Sequence, residues 1–473
     1  MDQLTTLPLF GRGFAAKSPV VTTQKFTNAY RDPAVDPDKA QFSIYGTPGL
    51  TRYADVGSPI RGAISVNGII YAAAANKVFV VSQTNVTQVV TLLSGSAAGP
   101  VTMAWNGVQI FIVDGNTGYI LLPSTNVMTA IADPDFPAMA STCTWIGGYF
   151  VTSIANSGKW QWSFVNDGTN WDPLAFASAE LAPDNIVRIE NDNGELIIIG
   201  ERTTEFWGLS GDANIFRRIG SAGIEWGSIS PQTVTKFTSG LAFLAQNRLG
   251  EVQAGVLNGY QFQPFSTSDP EINYALNNRS RVSLQSATAF SYLMDGHPFY
   301  QLNFNDASYL YDASTTAWSQ MTSSSTFGAR HYANIRVAQT QQPYVCDWRN
   351  GLIYLLDKTN YTDNGDPILT ECSLKHIFNA GNRVAVREIA VEMEAGDGLV
   401  SGQGSNPQMM GSWSWDGGRT YGNESWNTMG LIGNYRRRSV WRNCGRGKDF
   451  AFKFRVSDPV RKVFTLATVR VAG

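Results

Sequence analysis

Histidine, cysteine and charge are all scarce in this chain of 473 residues, which has three histidines, four cysteines and only 16% charged residues. The cysteines, Cys143, Cys346, Cys372 and Cys444, never stand in a C-x-x-C pair, so neither a zinc knuckle nor a thioredoxin-type motif is expected, and reduced, mostly buried thiols are. His297, His331 and His376 lie far apart with no His-x-x-x-His pair, which leaves a histidine-based metal centre nothing to build on. There is no run of about 18 apolar residues, and the N-terminus has no basic segment ahead of an apolar one, so membrane insertion and export are not expected and folding in a reducing cytoplasm is. Nor do apolar residues recur at helical spacing over about 12 positions between caps, which argues against long amphipathic helices.

What is abundant points to sheet. Forty-five glycines and a hydrophobic content of 43%, with 13 Trp, 18 Tyr and 25 Phe, suit short strands, tight turns and a substantial core. Residues 1–54 are broken by Gly11, Gly13, Pro19, Pro33, Pro37, Gly46, Pro48 and Gly49, and are expected to form an irregular, extended arm that packs on something else. From residue 55 the pattern becomes turn, apolar alternation, turn: Asn67-Gly68 before Ile69 to Tyr71, Asn76-Lys77 before Val78 to Val81, then Val86 to Leu93. The theme returns at Asn106-Gly107, Gly147-Gly148, Gly194-Glu195, Gly240-Leu241, His297-Pro298 and Asn350-Gly351, roughly 40 to 55 residues apart, the size of a four-stranded propeller blade. Longer alternating strands from 376 onward, at Val384 to Met393, Gln408 to Trp415, Phe450 to Val456 and Val463 to Val471, read as a β-sandwich. The fold class expected is therefore all-β, with an arm over 1–54, a β-propeller of about six to eight blades over 55–375 and a β-sandwich-like domain over 376–473.

One local motif is well formed. Ser414-Trp-Asp-Gly-Gly-Arg-Thr-Tyr421 fits the Ser-x-Asp-x-Gly-x-Thr-Tyr pattern of an Asp-box, a hairpin turn of propellers and related all-β folds, in which Ser414, Asp416, Gly418 and Thr420 hold the turn. Its chemistry is structural and names no substrate.

Signatures of catalysis are missing or incomplete. There is no G-x-S-x-G elbow, and Gly445-Arg-Gly-Lys448 lacks P-loop spacing and a strand-to-helix setting. Glycoside hydrolysis is the alternative with some support, since Asp-boxes occur in sialidase propellers and Phe216-Arg-Arg-Ile219 resembles an arginine-bearing sialidase element. Such an enzyme also needs an arginine triad, a tyrosine nucleophile with a glutamate, and boxes in successive blades, whereas one clean box is present. The aromatic pairs Trp160-Gln-Trp162 and Asn170-Trp171 could stack on sugars, though blade core is the expectation for them. No catalytic, cofactor-binding or metal-binding residue is assigned, and no cofactor is expected.

Charge is unevenly spread. The segment from Lys375 to Gly473 holds 15 Lys and Arg against 8 Asp and Glu, a surplus of seven, which with a net charge of −2 leaves residues 1–374 nine negative. The densest cationic cluster, Arg436-Arg437-Arg438 with Trp441, Arg442 and Arg446, is a candidate subunit or partner contact through salt bridges. DNA phosphate contact and a solvated edge strand kept from aggregating by charge are the other readings of it.

Three segments together resemble one family. They are Leu7-Pro-Leu-Phe-Gly-Arg-Gly-Phe14 running on to Asn28-Ala-Tyr30 and Tyr45-Gly-Thr-Pro-Gly-Leu50, then Leu196 to Gly208, then Ser439 to Val456. The family is the packaged-DNA stabilisation protein, also called tail hub or nozzle, of short-tailed bacteriophages. The resemblance implies a structural virion protein that assembles as a homo-oligomeric ring, a hexamer by analogy, in the host cytoplasm. It further implies contact with a head-tail adaptor, with a tailspike or tail fibre and with a tail tip or needle, and passage of double-stranded DNA without sequence-specific binding.

Overall fold

The computed structural model describes residues 5–10, 22–33, 42–82, 86–90, 93, 98–211, 215–220, 222–323 and 327–472. Among them, seven antiparallel blades succeed one another along the chain. Four-stranded sheets form over 60–90, 102–130, 140–178 and 186–218, a fifth spans 226–264, a sixth is built over 288–321, and the seventh over 333–357 is completed by Gly49–Asp55. That last strand runs antiparallel to Leu352–Asp357 with Leu352 opposite Asp55 and Asp357 opposite Gly49, so an early segment of the chain becomes the outer strand of the final blade and closes the ring.

The propeller is held by seven interblade cores, one between each pair of neighbours. The continuous apolar run Leu196-Ile-Ile-Ile199 shows how a strand serves two of them. Leu196 and Ile198 pack on the third blade with Ile146, Val151 and Trp160. Ile197 and Ile199, on the opposite face, pack on the fifth with Leu241, Phe243 and Ala245. In the first blade, Ile70, Ala72 and Ala74 face the seventh blade while Tyr71 and Ala73 face the second. Because side chains alternate across a strand, burying both faces demands an unbroken apolar run, and a one-residue slip would exchange the two interfaces. Trp160, Trp162 and Trp171 all belong to these cores, as expected of blade aromatics.

The Gly- and Asn-centred turns sit inside blades. Asn67-Gly68, Asn106-Gly107, Gly147-Gly148 and Asn193-Gly194 join a blade's innermost strand to its second, Gly240 and His297 open second strands, and Asn350-Gly351 precedes a third. The expected unit starts are thus displaced by one strand, and by two at Asn350-Gly351, because the tight hairpin is the strongest local signal and the innermost strand comes before it. Two short helices, Pro270–Asn277 and Arg281–Gln285, link the fifth and sixth blades. Asp269 caps the first by accepting from the Glu271 and Ile272 backbone N–H groups, with Pro270 at its start, a signal present in the sequence but too short for a twelve-residue period to reveal.

The C-terminal part is a β-sandwich. One sheet has the strand order Ala29–Pro33, Phe42–Gly46, Val463–Ala472, Val384–Met393 and Arg438–Gly447, with Thr5–Pro8 also on Val463–Ala472. The other runs Lys25–Thr27, Thr370–Ser373, Asp449–Val456, Gln408–Ser414 and Ser425–Thr428. Between them lie Phe26, Ile44, Ile389, Val391, Phe450, Phe452, Phe454, Phe464 and Val469. The described part of the N-terminal arm is therefore stranded, and it packs on this chain's own sandwich and, from Gly49 onward, in the seventh blade.

The second sheet does not stop at the sandwich. Lys25–Thr27 also pairs in parallel with the outer strand of the sixth blade at Thr27 and Gln320, so a single hydrogen-bonded sheet crosses from propeller to sandwich. Asn28 fastens the crossing. Buried and at φ 51°, it donates from Nδ2 to the carbonyls of Thr322 (3.1 Å) and Leu369 (2.9 Å), and its Oδ1 accepts from the Thr322 N–H at 2.8 Å. Its own carbonyl accepts from Thr47 N at 3.1 Å. Asn is among the few non-glycine residues that tolerate this backbone region, and its amide supplies a donor and an acceptor together.

Asn28→Ala should lower unfolding stability by about 3 to 5 kcal/mol, because it leaves buried backbone groups unpaired and places a Cβ without compensation at positive φ. Urea unfolding monitored by tryptophan fluorescence measures this. Asn28→Gly relieves the backbone strain and should recover only a minor part of the loss.

Candidate functional site

Four places could carry function: the Asp-box turn, the arginine cluster, the propeller axis and the buried ionisable groups. The Asp-box lies in the sandwich, at the end of Gln408–Ser414. Asp416 Oδ1 accepts from the N–H groups of Arg419 and Thr420, each at 2.9 Å, its Oδ2 accepts from the Thr420 hydroxyl at 2.6 Å, and Ser414 Oγ donates to Oδ1 at 2.6 Å while accepting from Gly418 N at 3.0 Å. The hydroxyls of Ser414 and Thr420 hold the Asp416 carboxyl well below the usual carboxylate range. Gly418 takes φ 79°, as the turn requires. Trp415 lies against Gly445 and Gly447 and packs on Phe450 at 4.7 Å; a Cβ on Gly447 would stand 2.1 Å from its indole. With its oxygens committed to the turn, Asp416 organises a hairpin.

The arginines are spread along the sandwich: Arg436 to Arg438 lie at one end, with Arg438 opposite Glu392, Arg442 lies midway, and Arg446 lies at the other end, opposite Ala385. Arg436 and Arg437 occupy the turn before the strand Arg438–Gly447, which is an edge strand of its sheet, and Arg436, Arg437, Arg438, Arg442 and Arg446 are all exposed. Arg442 Nε is 3.1 Å from Glu388 on the neighbouring strand, while Arg436, Arg437, Arg438 and Arg446 make no ion pair among the described residues. Trp441 is placed differently: it is buried in the sandwich core, its indole N–H donating to Ser425 O at 2.9 Å, because strand alternation turns it inward between exposed neighbours. The indole is thus closed to a partner. Sequence reasoning missed the apolar surface beside the arginines. Leu431, Ile432 and Tyr435 are exposed next to Leu399 and Val400, on two loops joined by the Gly433 N–H to Gly396 O bond at 3.1 Å. The signal was the apolar Leu431-Ile-Gly-Asn-Tyr435 in a turn.

The propeller axis holds a cavity of about 620 Å³ lined from every blade, by Ile64, Met103, Thr144, Asn191, Thr235, Ser291 and Val337 in turn. Its arginines have partners within the subunit. Arg61 donates to the carbonyls of Gly99 and Ala75 at 2.6 Å, Arg336 to those of Ser291 (2.9 Å) and Thr340 (2.7 Å), and Arg188 Nε to Glu190 at 2.8 Å. Among the described residues the lining has one carboxylate, Glu190, and no tyrosine. The Phe216–Arg218 element is the outer strand of the fourth blade, away from the axis, with Arg218 facing Glu205 at 3.7 Å. The parts of a sialidase-type centre are not brought together there.

No group of three or more His, Cys, Asp or Glu converges as metal ligands among the described residues, and no described helix is long and apolar enough to cross a membrane. His297 links two segments, its Nδ1 2.9 Å from Asp312 of the sixth blade and its Nε2 3.2 Å from Asp32 of the N-terminal strand. His376 bonds Thr23 Oγ1 through Nε2 at 3.0 Å. His331 is buried, its Nδ1 accepting from Ala333 N at 3.3 Å and its Nε2 3.9 Å from Asp363; burial lowers its pKa to about 4. Burial raises Asp363 to about 7 and lowers the adjacent buried Lys462, whose ammonium donates to Ile368 O at 2.6 Å, to about 8. All four cysteines are free and buried, and burial raises the Cys143 thiol to about 12 and the Cys444 thiol to about 11.

Two family models match the chain. Residues 34–361 match "Bacteriophage P22 Gp10, beta-propeller" and residues 370–472 match "Bacteriophage P22 Gp10, beta-sandwich". No individual curated protein matches by sequence. Solved structures similar to the chain include the extracellular domain of the two-component system BT4673 of B. thetaiotaomicron, at 11% identity, 74% of this chain and 45% of that one, TM-score 0.45. They also include BamB of Moraxella catarrhalis, at 10% identity, 75% and 97% coverage and TM-score 0.39. The Pan2 WD40 domain of Neurospora crassa follows at 6% identity, 66% and 95% coverage and TM-score 0.41. This chain spans less than half the length of the first of these.

Two solution measurements follow from the buried groups. Native protein should leave its thiols unreacted with Ellman's reagent at pH 8, and all four should titrate in guanidinium. As pH falls from 6.5 towards about 4, the unfolded chain protonates His331 while the folded chain does not, so this group withdraws stability across that window. Asp363 acts in the opposite sense, because its folded carboxyl keeps a proton that the unfolded one has lost. His331→Gln should therefore reduce the stability lost between pH 7 and pH 4 by about 2 to 3 kcal/mol, measured by urea unfolding at each pH.

Proposed function

This chain belongs to the packaged-DNA stabilisation protein family of short-tailed bacteriophages, the family of bacteriophage P22 Gp10, and on that premise we propose that copies of it form a tail-hub ring that continues the DNA channel below the portal and its adaptor. The observation that carries this reading is mechanical. Propeller and sandwich share a hydrogen-bonded sheet, and the ring of blades is closed by the same N-terminal segment that enters that sheet, so one subunit is a stiff block suited to resisting pressure. Retention of packaged DNA, docking of tailspikes or fibres and seating of a tail tip or needle belong to the same reading, as do residence in the virion and assembly in the host cytoplasm. Its working parts are the seven blades and the sandwich, with the N-terminal strands drawn into both.

Subunit contact falls to the end of the sandwich, where Arg436, Arg437 and Arg438, without an ion pair among the described residues, stand with exposed Leu431, Ile432 and Tyr435. Apolar side chains with guanidinium groups at their margin suit a protein interface. The channel wall is drawn from the acidic part, residues 1–374, because a strongly cationic wall would accumulate phosphate contacts and slow ejection.

Negative-stain microscopy tests the ring. The purified protein, alone or mixed with portal-adaptor rings, should give annular particles or capped adaptors, and a protein that stays monomeric in both overturns the reading. The triple variant Arg436→Glu, Arg437→Glu, Arg438→Glu should lose ring formation while its thermal unfolding stays within about 2 °C of the parent, as befits exposed positions.

A further inference from the structure

Away from the axis and from the sandwich, four arginines from different elements line one pocket. Arg202 comes from the turn after Glu195–Gly200 in the fourth blade, Arg248 from the turn after Gly240–Asn247 in the fifth, and Arg279 and Arg281 from the helical link to the sixth. The pocket measures about 240 Å³; Ile229, Val252, Leu276 and Leu284 give it apolar walls, and no carboxylate lines it among the described residues.

The charges there are only partly balanced. Arg248 reaches Glu225 at 3.3 Å and Arg279 reaches Asp306, both carboxylates lying outside the lining and 68% exposed. Arg202 and Arg281 are exposed and have no ion pair among the described residues; the latter has a 3.4 Å bond from Nη1 to Gln246 Oε1. Arg279 is held by Phe304, whose ring centre is 4.0 Å from the guanidinium carbon, and its Nε is buried without a hydrogen-bond partner. Bringing like charges to one concavity opposes folding, and among the described residues neither Arg202 nor Arg281 has a carboxylate partner to offset it. All four cations are arginines, whose planar fork engages a carboxylate or phosphate through two parallel bonds.

We propose that this pocket is a docking site for a partner protein segment that inserts an aspartate or glutamate side chain flanked by apolar residues. The surroundings favour such a segment over nucleic acid. Asp184 and Glu201 line the cavity next to Arg202, and Glu225, Glu251 and Asp306 stand around the arginines. A duplex must lay several phosphates across the face and would meet those carboxylates, whereas one acidic side chain entering the pocket meets guanidinium groups and an apolar wall. The site is separate from Arg436 to Arg446, and it stands or falls independently of the ring.

Fluorescence anisotropy decides it, using the full chain with a labelled peptide of alternating glutamate and leucine, its lysine-leucine counterpart, and a labelled DNA duplex of about 20 base pairs. The acidic peptide should bind and the lysine peptide should not. Arg202→Glu with Arg281→Glu should weaken acidic-peptide binding by at least about tenfold, and Arg202→Gln with Arg281→Gln by a smaller factor in the same direction. A control with the same net charge change, Arg383→Glu with Arg387→Glu in the sandwich, should bind like the parent, and matched thermal unfolding of all variants secures the comparison. Absence of acidic-peptide binding, equal loss in the control, or a preference for the duplex that the pocket variants abolish would each overturn the proposal.

Discussion

The segment from Lys25 to Asp55 is the constraint on which the rest of the molecule depends. Within about thirty residues it enters the second sheet of the sandwich, bonds the outer strand of the sixth blade, contributes two strands to the first sheet and then supplies the outer strand of the seventh blade. Asn28 is where these demands meet. Its side chain bonds the end of the sixth blade and the start of the sandwich together, and its neighbour Tyr30 packs on Tyr45 and Phe299 at 5.8 and 5.1 Å. Loss of this segment would open the ring and expose a sheet edge at once.

Stiffness follows from how burial is shared. Each central strand is apolar on both faces and belongs to two interblade cores, so no blade can shift without disturbing its neighbours on either side. The sandwich is fastened to this closed ring by the pairing of Thr27 with Gln320 and by the Asn28 side chain. For a member of a packaged-DNA stabilisation family, the useful property of the subunit is this resistance to deformation. Some of its ionisable groups are used inward: Arg336 of the seventh blade holds the Ser291 carbonyl of the sixth, Arg61 holds the Gly99 carbonyl of the link to the second blade, and His297 joins the N-terminal strand to the sixth blade.

Much of this was legible in the chain. The Asn-Gly and Gly-Gly turns, the apolar runs between them and the longer strands after residue 376 identified a propeller followed by a sandwich, and the spacing placed the number of blades in the correct range. The segments that resemble the phage family have physical duties: Asn28 bolts the crossing, a Cβ on Gly49 would stand 2.4 Å from Thr362 O, and Leu196 to Ile199 divides between two cores. The Asp-box was also readable, since a motif of eight adjacent residues needs no distant partner to form. The pocket of Arg202, Arg248, Arg279 and Arg281 was not, because its members are distributed over 80 residues and converge only through blade geometry and the helical link. The inward turn of Trp441 was likewise decided by its place on an edge strand over a core.

The sequence by itself determined the local alphabet: strands from alternation, turns from residues that accept positive φ, buried thiols from scarcity and spacing, and an uneven charge along the chain. Only the tertiary structure decided the closure of seven blades by an early strand, the welding of propeller to sandwich, and the identity of the arginines that share a pocket. The reason is one of range. Turns and alternation act between neighbours a few residues apart, whereas strand order and pocket lining depend on pairings between segments hundreds of residues apart, selected by the burial that the finished ring makes possible.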